Sequence, residues 1–472
     1  MGVIQFHVDR PDLLSAASAL SLVDFLMFDG RVVPARAVLN DTLLRCERGV
    51  GESGQMRVLW PRFDGHCQVM QTTSLREQPI PYQLEMELAR GQLSRLRNQS
   101  TAWLHAGMQS SPQLDQLVQE AHRAFRASVL RSETPETSSP AALLCAELSC
   151  RASEALCQHY SEQRIGYRRS RTSRLPVFLG CHLVDVPREQ TYGSVFNAVQ
   201  VDANWDRLER DDGKYDWDRL DRLVTWALDQ RLYVIGGPLL DLSTSHFPEW
   251  MRSSVGNFAN LQSYAADFAE TIVGRYVGRI RHWEVAVGAN RGGVAGLDEE
   301  RRLNLVARVV EAARQVDEHT QISLRVVQPW GEYLSETNNR LSPAQFVDTL
   351  RRCGVRLTEI NLELRFGRGH LGGLWRDGLA LSQLLDHWSQ MQLAINVMIS
   401  LPEPSVAEPL VSLRWLRETI LTCLSKERVV GIYCMNWNER VPVGESPALV
   451  GPDGSPGDAL GVLQELSDAY WL

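Results

Sequence analysis

From Leu175 to the C-terminus, short apolar strands alternate with amphipathic helices, and this alternation constrains the fold more than any other feature. One connecting helix places Leu220, Leu223 and Val224 on a single stripe, as a helix that packs on a sheet requires. Eight strands over about 300 residues favour a (β/α)8 TIM barrel, an α/β fold, over a doubly wound sheet. The strands are expected near Val177–Leu183, Asn197–Val201, Leu232–Gly237, Arg281–Val287, Gln321–Val327, Leu357–Glu363, Leu393–Ile399 and Val429–Met435.

The first part of the chain has a different rhythm. Short extended runs around turn pairs such as Asp29-Gly30 predict a small antiparallel sheet, and helical periodicity follows from Tyr82. Helices are also expected over Leu114 to Leu130 and Ala141 to Tyr160, with a polar linker between them at 132–140. We therefore predict an N-terminal α+β domain at 1–165, a basic linker at 166–174 and the barrel at 175–472.

Charge and composition restrict the class of protein. The net charge of −8 and pI near 5.8 argue against a nucleic-acid partner, because no broad positive excess is present. The sequence contains no run of about 18 apolar residues, so no membrane span is expected. The N-terminus lacks the pattern of a secretory signal. The nine cysteines are scattered and suit reduced thiols. We expect a cytoplasmic protein without a membrane partner, and a homo-oligomer is left open.

Several motifs occur in one order along the predicted barrel. They are Phe196-Asn197-Ala198-Val199, Trp205 with Glu209 and Gly213, Tyr215-Asp216-Trp217, Pro248-Glu249-Trp250, Arg275-Tyr276, His282-Trp283-Glu284-Val285, Ile360-Asn361-Leu362-Glu363 and Ile432 to Trp437. In order and spacing this set resembles family-10 glycoside hydrolases, the xylanase type. The resemblance implies a TIM barrel that binds carbohydrate at the C-terminal ends of its strands.

The chain departs from that family at the positions that carry its chemistry. The resemblance implies an acid/base glutamate at the end of the fourth strand, where this sequence has Gly288. It implies a nucleophilic glutamate in the seventh strand, which here lacks a carboxylate. Retaining members need both groups, about 5 to 5.5 Å apart. The sequence therefore predicts a carbohydrate-enzyme scaffold whose usual catalytic pair is missing.

Other carboxylates near predicted strand ends are candidates for relocated chemistry, and we select Glu332 and Glu363 as the catalytic pair. Glu332 lies between Trp330 and Tyr333, whose rings could stack on sugar faces. The alternative, equally open, is that both rings cover the barrel rim and Glu332 is solvated. Glu363 lies in a parallel strand, where a carboxylate is not easily hidden in apolar packing. Glu359, on the same strand, is expected to be structural, paired with Arg325 or another strand cation, and Glu284 to be a hydrogen-bonding residue inside its strand.

Polar and aromatic residues near the same strand ends are candidates for ligand contact. No metal-binding motif such as HExxH and no phosphate-binding loop is present, so neither a metal nor a cofactor is expected. The substrate-binding candidates are Asp202, Trp205, Asp241, Asn290, Trp330, Tyr333, Arg365, His370, Trp437 and Glu439.

Three hypotheses follow. The first is a glycoside hydrolase that acts through relocated carboxylates on an oligosaccharide or glycoconjugate. The second is a non-catalytic glycan-binding or scaffolding pseudoenzyme. The third gives the barrel a role unrelated to sugars. Fold alone does not choose between them.

Overall fold

The structure is a computed structural model, and the chain divides into two compact units. The first comprises Met1–Arg168 together with Glu332–Asn338 and Leu374–Gln383; the second comprises Arg169–Gly331, Asn339–Gly373 and Leu384–Leu472. The structure describes residues 1–14, 20, 22–130, 135–172, 174–188, 191–243, 247–251, 256–293, 296–367, 372–403, 407–438 and 446–471.

The described part of the first unit contains a seven-stranded sheet in the order β6-β5-β2-β3-β4-β1-β7. All pairings are antiparallel except that of β1 with β7, which is parallel. The predicted antiparallel sheet is thus present, with further strands at Gly2–His7, Leu43–Arg48 and Tyr82–Gln83. The strands are β1 Gly2–His7, β2 Asp24–Met27, β3 Val32–Asn40, β4 Leu43–Arg48, β5 Gly54–Pro61, β6 Cys67–Leu75 and β7 Tyr82–Gln83.

Long helices follow this sheet: α1 Leu84–His105, α2 Pro112–Leu130 and α3 Pro135–Arg171. Apolar side chains of the sheet and of these helices form one core, which includes Phe6, Trp60 and Trp103. The helix α3 is longer than the predicted helix Ala141 to Tyr160. It includes residues 135–140 and 166–171, which were predicted as parts of two linkers. The predicted domain boundaries themselves stay a prediction.

Among the described residues of the second unit, eight parallel strands close into a barrel, as the sequence predicts. A further two-residue strand, β13, pairs with β14 beside the ring. The ring strands are β8 Phe178–Leu183, β9 Ala198–Val201, β12 Tyr233–Gly236, β14 His282–Val287, β15 Gln321–Val326, β16 Glu359–Leu364, β17 Ala394–Ile399 and β18 Val429–Cys434; the short strands are β10 Glu209–Asp211, β11 Lys214–Tyr215 and β13 Leu240–Asp241.

Amphipathic helices connect the strands and bury one face each. In the helix Glu299–Val316, for example, the Asp298 side chain caps the first turn, and Leu305, Val306 and Val309 are buried. The helices of this part are α4 Tyr192–Val195, α5 Trp205–Leu208, α6 Asp218–Asp229, α7 Phe258–Arg275, α8 Glu299–Val316, α9 Tyr333–Glu336, α10 Pro343–Arg352, α11 Gly378–Ser389, α12 Pro409–Ser425 and α13 Asp458–Tyr470; α9 and the start of α11 belong to the first unit. Short 3-10 turns occur at Pro11–Leu13 and Glu249–Met251.

The lower interior of the barrel is filled by side chains. The ring of Tyr433 packs with Ala198, Ile235 and Met398 in a small apolar cluster. Gly180 and Gly431 make room for that ring. An added Cβ would lie 2.7 Å from the ring at Gly180 and 2.6 Å from it at Gly431. The barrel is therefore a packed core rather than a pore, and ligands must be sought at its C-terminal mouth.

In the described residues, no helix combines the length and the apolar character needed to cross a membrane.

Candidate functional site

A polar network occupies the upper interior of the barrel, and Glu284 of β14 lies at its centre. Glu284 is fully buried. Its Oε1 accepts hydrogen bonds from Gln200 Nε2 at 2.9 Å and Arg325 Nη2 at 2.6 Å, and its Oε2 accepts from Arg325 Nε at 3.0 Å and from Asn361. Four donors satisfy this carboxylate. The expectation that Glu284 is a hydrogen-bonding residue within the strand agrees with these contacts.

Arg325 of β15 joins this network to Glu363, one of the two predicted catalytic residues. Glu363 lies near the C-terminal end of β16 and is 6% exposed, and its Oε2 is 3.5 Å from Arg325 Nη1. Burial by itself would lower the pKa of Arg325, but the charges of Glu284 and Glu363 outweigh burial and raise it. Arg325 therefore stays charged between the two carboxylates.

The polar network continues through Asn361 and Asn396 to Glu359, at the N-terminal end of β16. Glu359 accepts a hydrogen bond from Asn396 Nδ2 at 2.5 Å and lies 3.8 Å from His282 Nε2. The sequence suggested Arg325 or another strand cation as the partner of Glu359, but Arg325 pairs with Glu284 and Glu363.

At the end of the fourth barrel strand, Gly288 adopts a left-handed backbone with φ of +70°. A Cβ on this residue would lie 2.5 Å from the Cβ of Ser243. Ser243 is held there by Asp241, whose Oδ1 accepts hydrogen bonds from the Ser243 amide at 2.9 Å and from its hydroxyl at 2.6 Å. The backbone conformation and the close neighbour both disfavour a larger side chain.

The other predicted catalytic residue, Glu332, belongs to the first unit. It is buried, and its Oε1 accepts a hydrogen bond from Arg376 Nη2 at 3.0 Å. Nearby in that unit, Arg57 binds Asp24 through two hydrogen bonds of 2.5 and 2.7 Å. Glu332 is thus part of a buried group of alternating charges, whereas Glu363 belongs to the barrel network. Their catalytic roles stay predictions.

Asp202, which follows β9, lies among cations. Its Oδ2 is 3.3 Å from Arg207 and 3.2 Å from Arg219, and its Oδ1 is 4.0 Å from His182 Nε2. The carboxylate is 4% exposed. A role in ligand contact stays a prediction, with the arginines fixing its position.

The predicted aromatic contacts are mostly buried. Trp205 is 1% exposed, stacks on Phe268 at 5.1 Å between ring centroids, and donates its indole N–H to Glu209 at 2.7 Å. Trp437 packs against Tyr192 at 5.2 Å and is also buried. Trp205 is thus enclosed by its neighbours, whereas Trp437 also lines a cavity at the C-terminal end of β18. Their roles as ligand contacts stay predictions.

The remaining candidates have varied surroundings. Asn290 is buried and bonds the backbone of Val327 in both directions, at 2.8 and 3.2 Å. Trp330 and Arg365 are partly exposed. Tyr333 is fully buried in the first unit, where it packs with Val32. His370 and Glu439 lie outside the described residues.

Sequence reasoning missed a cavity of about 130 Å³ between the C-terminal ends of β8 and β18. Its walls include His182, Asp185, Arg188 and Asn436. One signal was available, because strand periodicity places His182 on the same inward face as Gly180. A single histidine after an apolar strand is nevertheless too common to identify a site.

Across the described ranges, no three histidine, cysteine or acidic side chains lie close enough together to hold a metal ion.

Comparison with known proteins places this geometry in context. Residues 182–292 match the model of glycosyl hydrolase family 10. Endo-1,4-beta-xylanase 3 of Hypocrea jecorina is 32% identical over 81 residues, which are 17% of this chain and 22% of the xylanase. The chain thus spans about a fifth of the length of that relative.

Solved structures are similar in fold. A family-10 protein from Paenibacillus barcinonensis superposes with a TM-score of 0.50 at 15% identity, covering 65% of this chain and 97% of that one. A family-10 xylanase from Bispora sp. MEY-1, solved with xylobiose, gives 0.50 at 13% identity, with 66% and 99% covered. The matched segment confirms the resemblance predicted from the motifs, and the solved structures show that the second unit has the same barrel fold.

Proposed function

We propose that the mouth of this barrel binds a neutral oligosaccharide and does not cleave it by the retaining route of two glutamates. The family-10 segment supports the ligand class, as do the names of the similar proteins, which are xylanases, one of them solved with xylobiose. The cavity beside His182 lies where ligands bind in barrels of this kind, at the C-terminal ends of the strands.

The observation that carries the proposal is the backbone at Gly288. This residue occupies the position that the resemblance assigns to the acid/base glutamate, and a glycine has no side chain that could donate a proton. A Cβ added there would lie 2.5 Å from the Cβ of Ser243, so the surroundings also disfavour a larger residue. Without a proton donor at this point, the two-glutamate mechanism has lost the group that protonates the leaving oxygen.

The interior carboxylates do not supply a substitute in their present surroundings. A general acid must hold a proton near neutral pH, and enzymes achieve this by placing the acid in an apolar pocket. Glu284 instead accepts hydrogen bonds from Gln200, Arg325 and Asn361, and Glu363 lies beside the charged Arg325. In these contacts Glu284 accepts hydrogen bonds and Glu363 pairs with a cation, so neither is placed as a proton donor.

The test measures binding and turnover in the same preparation. Titration calorimetry with xylobiose and longer xylo-oligosaccharides should give saturable heat, and chromatography after long incubation should show the ligand intact. The absence of any binding would contradict the proposal.

A variant pair decides the catalytic question. If products form, and if they disappear in Glu363→Gln but persist in the exposed control Glu311→Gln, hydrolysis through relocated carboxylates replaces the binding-only proposal. Products that also disappear in Glu332→Gln would support the predicted pair.

A further inference from the structure

The geometry points to His182 as a residue that presents an unprotonated ring Nε2 to the mouth cavity, where it accepts a hydrogen bond from a hydroxyl-bearing ligand. The ligand class rests on the proposed function, but the state of the imidazole does not. Some atoms of the network can only donate a hydrogen bond and others can only accept one, and this difference fixes the position of the proton on His182.

Gln200 is the link, because its two ends face partners of opposite type. One end lies 2.9 Å from Glu284 Oε1, and a carboxylate that also binds Arg325 can only accept. That end is therefore the amide nitrogen. The other end lies 3.0 Å from Arg325 Nη2, which can only donate, and is therefore the carbonyl oxygen.

The orientation of Gln200 fixes the tautomer of His182. The carbonyl oxygen of Gln200 lies 3.3 Å from His182 Nδ1. Since that oxygen accepts, Nδ1 must carry the proton and donate. In a neutral imidazole this leaves Nε2 with a lone pair and no proton.

The surroundings of His182 keep the ring neutral. Burial is the main influence and lowers the pKa of His182, and the charge of Arg325 lowers it further. Asp202 and Glu284 act in the opposite direction but do not overcome burial. The ring is thus uncharged around pH 7, with the proton on the nitrogen that faces Gln200.

No described residue forms a hydrogen bond with Nε2. Asp202 Oδ1 is 4.0 Å away, which exceeds hydrogen-bond distance, and Arg207 and Arg219 hold that carboxylate. His182 is 8% exposed and lines the cavity, so its remaining accessible surface faces the ligand space. An acceptor that lines the cavity without a protein partner favours a ligand that brings a donor.

This arrangement selects by hydrogen-bond type. A sugar hydroxyl donates to Nε2, whereas a carboxylate or phosphate oxygen can only accept and gains nothing from a lone pair. Gln200 acts as a positioning residue, since it touches no ligand and sets the direction in which His182 can bond.

The tautomer can be measured on the ligand-free full chain. Nitrogen-15 NMR of histidine-labelled protein, with the His182 signals assigned by their loss in His182→Asn, should show a protonated Nδ1 and an unprotonated Nε2 at pH 7. A protonated Nε2 would overturn the inference. In Gln200→Met, which keeps the volume but removes the acceptor, His182 should lose this strict preference, while the partly exposed control Gln464→Met should keep it.

Ligand contact is tested separately with xylobiose. His182→Leu should weaken xylobiose binding about tenfold, equivalent to about 1.4 kcal/mol. His182→Gln, which retains an acceptor, should recover part of the loss. Unchanged affinity in His182→Leu would refute the contact, whereas failure of the wild type to bind xylobiose would count against the proposed function and leave the NMR result to decide the tautomer.

Discussion

Two buried ion networks, one in each unit, use the same residue types but connect the chain differently. In the barrel, Arg325 bonds Glu284 and Gln200, and all three lie on strands of one closed sheet. In the first unit, Arg95 bonds Asp377 through two hydrogen bonds of 3.0 Å, across 282 positions of sequence. The barrel network lies in an interior that the closed sheet already encloses. The pair of Arg95 and Asp377 instead joins the segment Leu374–Gln383 to the rest of the first unit.

The comparison teaches that buried charge has two structural uses here. The guanidinium of Arg325 pairs with two buried carboxylates, so its removal leaves both of them buried without a counter-charge. The guanidinium of Arg95 satisfies one.

Arg325→Met should destabilise the protein by about 3 to 5 kcal/mol or more, because it leaves buried carboxylates without their counter-charge. Urea unfolding followed by tryptophan fluorescence measures the change. Arg308→Met is the matched control: Arg308 pairs with Glu311 on the surface, at 3.1 Å, and should cost at most about 1 kcal/mol. Equal losses in the two variants would show that the barrel network contributes no more to the free energy of unfolding than a surface ion pair does.

Arg95→Met should cost about 3 kcal/mol, at the lower end of the range for a broken buried pair. Burial alone would raise the pKa of Asp377, but Arg95 lowers it below the ordinary value near 3.8. The stability from this pair is therefore present above pH 3.8 and lost as pH falls through the folded-state pKa. Unfolding at pH 7 and pH 3 should show the variant and wild type converging in acid; a constant difference would contradict the ion pair as the cause.

Gly288→Ala should cost about 2 to 4 kcal/mol, as the sum of left-handed strain and the contact with Ser243. Gly296→Ala separates the two parts, since Gly296 has φ of +60° and no atom within 4 Å of an added Cβ. The control should lose only about 1 to 2 kcal/mol. Thermal unfolding of both variants gives the steric part by difference, and equal losses would remove the argument that space is lacking at Gly288.

Glu85→Gln in the first unit should have the smallest effect and the opposite sign. Burial raises the pKa of Glu85, backbone hydrogen bonds from Asp9 and Arg10 lower it, and the charge of Asp9 raises it, with a net increase above 4.5. The contribution of Glu85 to stability is thus full below pH 4.5 and is lost as pH rises through the folded-state pKa. The amide should add about 1 kcal/mol at pH 7 and little at pH 4, as measured by urea unfolding; a loss at pH 7 would refute this.

The sequence predicted the barrel well because its signal is local. Each strand follows from a short apolar run, and the closure follows from the number of such runs. The interior role of Glu284 also followed from its place within a strand. The N-terminal sheet was predicted in part, since the alternating polar pattern of β4 gave no clear apolar face.

The surroundings of the candidate site residues could not be predicted, because they depend on distant partners. Glu332 was selected from its position after a strand, and the local pattern does not reveal its partner Arg376. Trp205 was selected as a ligand contact, and the local pattern does not reveal Phe268, on which it stacks. Both roles stay predictions. His182 was overlooked because its meaning comes from Gln200, Arg325 and Glu284, which lie on three other strands.

The membership of Glu332–Asn338 and Leu374–Gln383 in the first unit has an evolutionary consequence. Recombination that joined residues 1–168 to a foreign barrel would leave these two pieces behind, and the transplanted region would lack the counter-charge of Arg95. The N-terminal region and the loops after the fifth and sixth barrel strands must therefore be inherited together, and substitutions in one are expected to be matched by substitutions in the other.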